Sequence, residues 1–233
     1  MTKALYLDDA YLKEFDSNVT KVEGTSVWLD ETAFYPTSGG QPHDTGIIKA
    51  DKDYKVIEVR KQDGEILHTV DAEGLQLGPV SCVIDWERRY KLMRMHTSAH
   101  VLSQIIFNAT DALCSGNELG VEKSRMDFSV PITKEQFLGF VEEANKIIDQ
   151  DLPISWKFVP KEEAIKMGEA FRLMGKSHPD LDVLRMVSIG DFDIQADGGT
   201  HVKSTKLVGH LQLLKFENKG SKRKRIYWEL TQA

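Results

Sequence analysis

Along residues 1–85 apolar and polar positions alternate in short runs that are broken by turn residues. Ser26–Leu29, Gly46–Ala50, Lys55–Arg60, Glu65–Val70 and Val80–Asp85 read as strands. Gly24, Gly39, Gly40, Asp63-Gly64 and Gly74 punctuate them. Many short strands at this spacing predict a small barrel or sandwich. The texture changes at Trp86. From Glu87 to about Asn108 there is no Gly or Pro, and Tyr90, Met93, Val101 and Ile105 recur at helical spacing, which predicts a long helix.

A second helix follows Pro131-Ile132, where Thr133 can cap the chain and Gln136 can complete a capping box. Phe137, Phe140, Val141, Ala144, Ile147 and Ile148 form its apolar stripe. Beyond it Ile154–Val159, Arg185–Gln195, Gly209–Glu217 and Ile226–Leu230 read as strands, a short helix starts at Lys161, and Asn218-Lys219-Gly220-Ser221 forms a turn. The expected fold class is α+β. A small β-barrel over 1–86 carries a glycine-rich motif, and an α+β domain over 87–233 packs its helices on a largely antiparallel sheet.

Composition narrows the class. The 233 residues, 41% of them hydrophobic, suffice for one large core or two modest ones. No apolar run reaches the roughly 18 residues of a membrane span. Met1–Tyr6 leads into Asp8-Asp9 without a signal core or cleavage site, so the expected location is the cytoplasm. Cys82 and Cys114 are far apart and form no CxxC pair, which predicts two free thiols. A net charge of −6 argues against non-specific coating of nucleic acid and leaves room for a local basic face.

Candidate chemistry sits in two clusters. His96 and His100 lie four apart in the long helix, one turn above each other, so both imidazoles can reach one ion. Thr97 follows His96, so the general base of an HExxH metalloprotease is missing. Asp197-Gly198-Gly199-Thr200-His201 puts a carboxylate and an imidazole around a double glycine, which permits a tight turn or a close approach. His96, His100, His201 and Asp197 together make a plausible tetrahedral zinc site. For Asp197 a cap or turn role stays open beside the ligand role.

His96–His100, Arg125-Met126-Asp127-Phe128 and Gly198-Gly199-Thr200-His201-Val202, in this order, resemble the editing domain of alanyl-tRNA synthetase. The run Phe34–Gly46, with Thr37 and Gly39-Gly40, resembles the glycine-rich stretch of that synthetase's small barrel. The likeness covers roughly residues 5–230, with nothing similar to an ATP-binding aminoacylation domain. The chain is thus similar to AlaX, the free-standing trans-editing family, in its medium-length form. The resemblance implies deacylation of mischarged Ser-tRNA(Ala) and Gly-tRNA(Ala), with zinc as cofactor and the acceptor end of alanine tRNA as partner. It implies neither a membrane nor a protein partner. Two alternatives remain: a non-catalytic tRNA-binding module with a structural metal, or a hydrolase for another tRNA ester. Many members carry Cys where this chain has Asp197, which leaves weaker metal binding, a three-histidine site, or Cys114 as a substitute thiolate open.

Thr37, Gly39 and Gly40 are the candidate substrate contacts, the alternative being a plain turn between barrel strands. Lys222, Arg223 and Lys224, in a run of cations from Lys219 to Arg225, are the candidate phosphate contacts, or else a solvated turn. Arg125 and Asp127 are expected to pair structurally, and His43, His68, His178 and His210 to have no functional role.

Overall fold

A computed structural model of the chain describes residues 2–167, 181–220 and 223–231. In chain order the strands are β1 (Lys3–Ala4), β2 (Glu14–Glu23), β3 (Ser26–Leu29), β4 (Glu31–Thr32), β5 (Gly46–Lys49), β6 (Asp53–Gln62), β7 (Glu65–Val70) and β8 (Gly78–Ile84). Then come helix α1 (Trp86–Thr110), β9 (Cys114–Glu118), β10 (Ser124–Ser129), α2 (Lys134–Ile148), β11 (Ile154–Pro160) and α3 (Lys161–Lys166). The chain ends through β12 (Val183–Ile189), β13 (Asp193–Ala196), β14 (Leu211–Asn218) and β15 (Arg223–Leu230). The class is α+β. By contact the chain divides into two compact units, Met1–Leu92 and Met93–Ala233. Among the described residues no helix is long and apolar enough to cross a membrane.

In the first unit six antiparallel strands close a barrel in the order β2-β3-β7-β6-β5-β8. Its interior holds Phe15, Val27, Phe34, Ile48, Tyr54, Val59 and Ile84. β2 was not expected from the sequence. Its inward positions include Ser17, which is buried because its hydroxyl donates to Asp30 and to the Glu31 carbonyl. Arg89 and Asp44, both fully buried, join the first turn of α1 to the loop after β4. Arg89 also donates to the Ala10 carbonyl at 2.8 Å, and Asp44 accepts from the Tyr35 amide at 2.6 Å.

In the second unit α1 is buried on all sides from Met95 to Ile106 rather than along one stripe. An antiparallel sheet in the order β14-β15-β10-β9 contacts it, Trp228 donating its indole N–H to Ser98 Oγ at 3.0 Å. Thr133 and Gln136 form the expected capping box of α2, whose Phe137 meets Phe216 of β14. A second antiparallel sheet has the order β11-β12-β13, with Val159, Ala164, Leu184 and Met186 in a core under one face. The expected single strand Arg185–Gln195 is two: Gly190, at φ +48°, takes the chain into a turn between β12 and β13.

Candidate metal centre

Three histidines and one carboxylate converge in the second unit. Each of His96, His100, Asp197 and His201 offers a ligand atom, all within 4.8 Å of one another. The ring centroids lie 5.1 Å apart for His96–His100, 4.4 Å for His96–His201 and 4.8 Å for His100–His201. Asp197 Oδ2 lies 2.9 Å from His201 Nε2, and Asp197 Oδ1 lies 3.7 Å from His96 Nε2. Cys114 is not among them. Its thiol donates to the Gly116 carbonyl at 3.3 Å; Cys82 is likewise buried, and neither cysteine is in a disulfide.

Helical spacing brings His96 and His100 to one side of α1, and the loop after β13 delivers the other two. That loop is pinned by its own backbone. Asp197 Oδ2 accepts from the Gly199 amide at 2.7 Å, so Asp197 closes a tight turn as well as facing the imidazoles. Of the two roles open from the sequence, the turn role is met, and the same carboxylate faces the His201 and His96 rings. A methyl group built on Gly199 would run into Cε1 and Nδ1 of His96, so only glycine lets the backbone come this close.

Residues that the sequence did not single out orient the ligands. Asp193 on β13 is buried and can only accept, so His100 Nδ1 donates to its Oδ2 at 3.2 Å, which leaves Nε2 as the unprotonated nitrogen of the neutral ring. Thr97 Oγ1 lies 3.0 Å from the Met93 carbonyl and 3.2 Å from His201 Nδ1. The buried guanidinium of Arg185 donates to the carbonyls of Asp197 and Gly199 at 3.2 and 3.0 Å. Nothing in the local sequence pairs these residues with the histidines, since the partners lie 93 and 104 positions apart.

Electrostatics match a cation site. Burial pushes the His201 imidazole down to about 4, against the bond from Asp197 that favours its charged form. Burial also holds His96 well below the ordinary histidine value, with His201 and His100 adding to the effect. For Asp197 burial acts upward, but the neighbouring imidazoles and the His201 bond outweigh it and keep the carboxyl well below its usual range. Imidazoles that burial disfavours in the charged form keep the lone pairs that metal coordination requires.

The other expected contact residues belong to the barrel unit and to the last hairpin. Thr37 donates its hydroxyl to His43 Nδ1 at 3.0 Å, because His43 Nε2 is committed to the Ile57 carbonyl, and its oxygen accepts from the His43 amide. Gly39 and Gly40, at φ +60° and +92°, form the tip of a tight turn closed by Ser38 and Gln41. Lys222 and His178 lie outside the described residues. On β15 the side chains alternate. Lys224 is 7% exposed and turned inward, so its expected phosphate contact is not offered at the surface, whereas the Arg223 side chain is 54% exposed. Arg125, Arg223 and Arg225 surround Asp127. Arg225 donates to it at 2.7 and 2.8 Å, Arg223 at 3.2 Å, and Arg125 lies at 3.5 Å. The expected Arg125–Asp127 pair is therefore part of a larger cluster.

Comparison with known proteins places these two units in the class of tRNA-synthetase-related domains. Residues 184–227 match the threonyl and alanyl tRNA synthetase second additional domain, and residues 4–88 match class II (A) tRNA synthetases. The alanyl-tRNA editing protein AlaX-M of Saccharolobus solfataricus is 42% identical over 233 residues, covering 98% of each chain. That of Methanosarcina barkeri is 40% identical over 241 residues, covering 99% of each. The alanine–tRNA ligase of Pyrococcus abyssi is 37% identical over 223 residues, 93% of this chain but 24% of the ligase. The chain belongs to the AlaX-M family of alanyl-tRNA editing proteins.

Proposed function

We propose that the protein hydrolyses the ester joining serine or glycine to the 3′ end of alanine tRNA, at a zinc ion held by His96, His100, His201 and Asp197. Family membership carries the coarser part, aminoacyl-tRNA deacylation in editing. The observation that supports the finer part is the convergence of three imidazoles and a carboxylate within 4.8 Å in such a chain. Three imidazoles and one oxygen donor are a donor set zinc accepts. Bound there, zinc would supply a Lewis acid beside the ester and a fixed point for the terminal ribose.

The chain's own residues hold that geometry. Asp193 and Thr97 fix two imidazoles, Gly199 admits the loop against His96, and Arg185 ties its carbonyls down. Pre-set geometry matters most because an aminoacyl ester is already reactive: water adds to the carbonyl and the ribose oxygen departs with a proton.

Selectivity against correct Ala-tRNA needs a polar group that only serine satisfies. In the barrel, Thr37 is the proposed contact, with Gly39 and Gly40. Its oxygen accepts only from the His43 amide among described groups, and its remaining lone pair suits a serine hydroxyl. Arg223, with Lys222 in the same sequence run, is the proposed phosphate contact, and an editing role supports the expected cytoplasmic location.

The experiment is incubation of the protein with Ser-, Gly- and Ala-tRNA of the alanine isoacceptor. Ser and Gly esters are expected to be cleaved and the Ala ester spared. Equal rates on Ser- and Ala-tRNA would overturn the proposal.

A further inference from the structure

One face of the β11-β12-β13 sheet carries the metal-ligating loop at one edge and exposed aromatic rings at the other. Phe158 pairs with Arg185, Trp156 with Val187, and Val187 with Gln195. Residues directly opposite share a face. The Asp197 amide bonds to the Arg185 carbonyl at 3.0 Å and so continues the Phe158–Arg185 row to the loop. Two strand spacings, about 10 Å, separate the ends of that row. At the β13 edge Asp193 meets His100 of α1, so the helix covers that side. At the β11 edge Trp156 and Phe158 remain 39% and 48% exposed.

The two rings stand edge to face, 5.5 Å between centroids. The Arg185 guanidinium lies 5.3 Å from the Trp156 centroid while it donates to the carbonyls of Asp197 and Gly199. Aromatic faces beside a fixed cation are the chemistry that stacks unpaired nucleobases, which present a π-face and trail a negative backbone. A substrate whose ester sits at the metal centre brings unpaired bases within the reach of one nucleotide, and 10 Å is that order of distance.

We propose that Trp156 and Phe158 form a stacking platform for an unpaired nucleobase at the 3′ end of the tRNA, positioned by Arg185 beside the metal-ligating loop. This inference rests on the editing reading for its ligand.

The test uses the full chain, an uncharged CCA trinucleotide, its 3′-seryl ester and serine methyl ester. The trinucleotide quenches tryptophan fluorescence in the wild type, and the quench is missing from Trp156→Phe, whose binding persists. The double variant Trp156→Ala/Phe158→Ala raises KM for the seryl trinucleotide about tenfold or more. Its hydrolysis of serine methyl ester and its zinc content stay at wild-type levels, and Trp156→Phe keeps KM within about twofold. Hydrolysis with no quench and no change in KM contradicts the platform and leaves the editing reading intact. Quenching without hydrolysis of any charged tRNA upholds the platform and contradicts the editing reading. A dimer in sedimentation that dissociates in the double alanine variant would assign the face to a second copy of the chain and overturn the proposal.

Discussion

His100 donates its Nδ1 proton to the buried carboxylate of Asp193 at 3.2 Å, which fixes the tautomer that leaves Nε2 for a metal. Such outer partners typically change metal affinity by about 10- to 100-fold when removed. Asp193→Ala is expected to weaken zinc binding within that range with the fold retained, as read by competition with a chromogenic chelator. Asp193→Asn, which keeps an acceptor, is expected to recover most of the affinity.

Asp197 has two jobs, and substitutions separate them. Its Oδ2 closes the turn to the Gly199 amide and also faces His201. Asparagine can keep the turn but is a poor zinc ligand, so Asp197→Asn should lower zinc affinity while thermal stability stays nearly constant. Asp197→Cys should bind zinc at least as tightly as wild type, because thiolate is the softer donor. Unchanged zinc affinity in both Asp197→Asn and Asp197→Ala would leave a three-histidine site.

Much of this centre was legible in advance, and the reasons are local. The i, i+4 spacing of His96 and His100 inside a Gly-free, Pro-free run fixes both helix and shared face, and the Thr133–Gln136 capping box is written within four residues. β2 escaped because a buried Ser17 breaks its apolar alternation, and its burial depends on Asp30, 13 residues away. The β12–β13 turn escaped because Ile189-Gly190-Asp191-Phe192 interrupts an apolar run only briefly. Arg185, Asp193 and Thr97 could not be assigned, since their partners are set by tertiary packing. The inward turn of Lys224 follows from strand alternation, which a charge count along the chain does not register.

His68 gives the barrel a pH dependence. Fully buried, it donates Nδ1–H to the Val27 carbonyl at 3.3 Å and accepts at Nε2 from Thr32 at 2.9 Å. Burial lowers its pKa to about 4. The unfolded chain takes up a proton near pH 6.5 and the folded one only near 4, so stability is lost as pH falls through that window. The loss reaches about 2 kcal/mol by pH 5. Denaturant titrations at pH 7.5 and 5 should show it in the wild type and show that much less in His68→Gln. Equal pH dependence in both would exclude His68 as the source.

Arg223, exposed, and Arg125, partly buried, both beside Asp127, test the proposed phosphate-contact face. Arg223→Gln and Arg125→Gln together should weaken tRNA binding and reduce the slope of log affinity against log salt by about 1 per lost phosphate contact. Lys224→Gln, at an inward position, should change stability more than salt dependence. An unchanged slope in the double arginine variant would remove this face from the interface.

Single-turnover deacylation of Ser-tRNA(Ala) before and after metal removal tests the central claim most directly. The metal-free protein is expected to lose activity and to regain it on addition of one equivalent of zinc, with Ala-tRNA spared throughout. His201→Ala should stay inactive at that zinc level. Full activity in the metal-free wild type, matched by His201→Ala, would contradict the account.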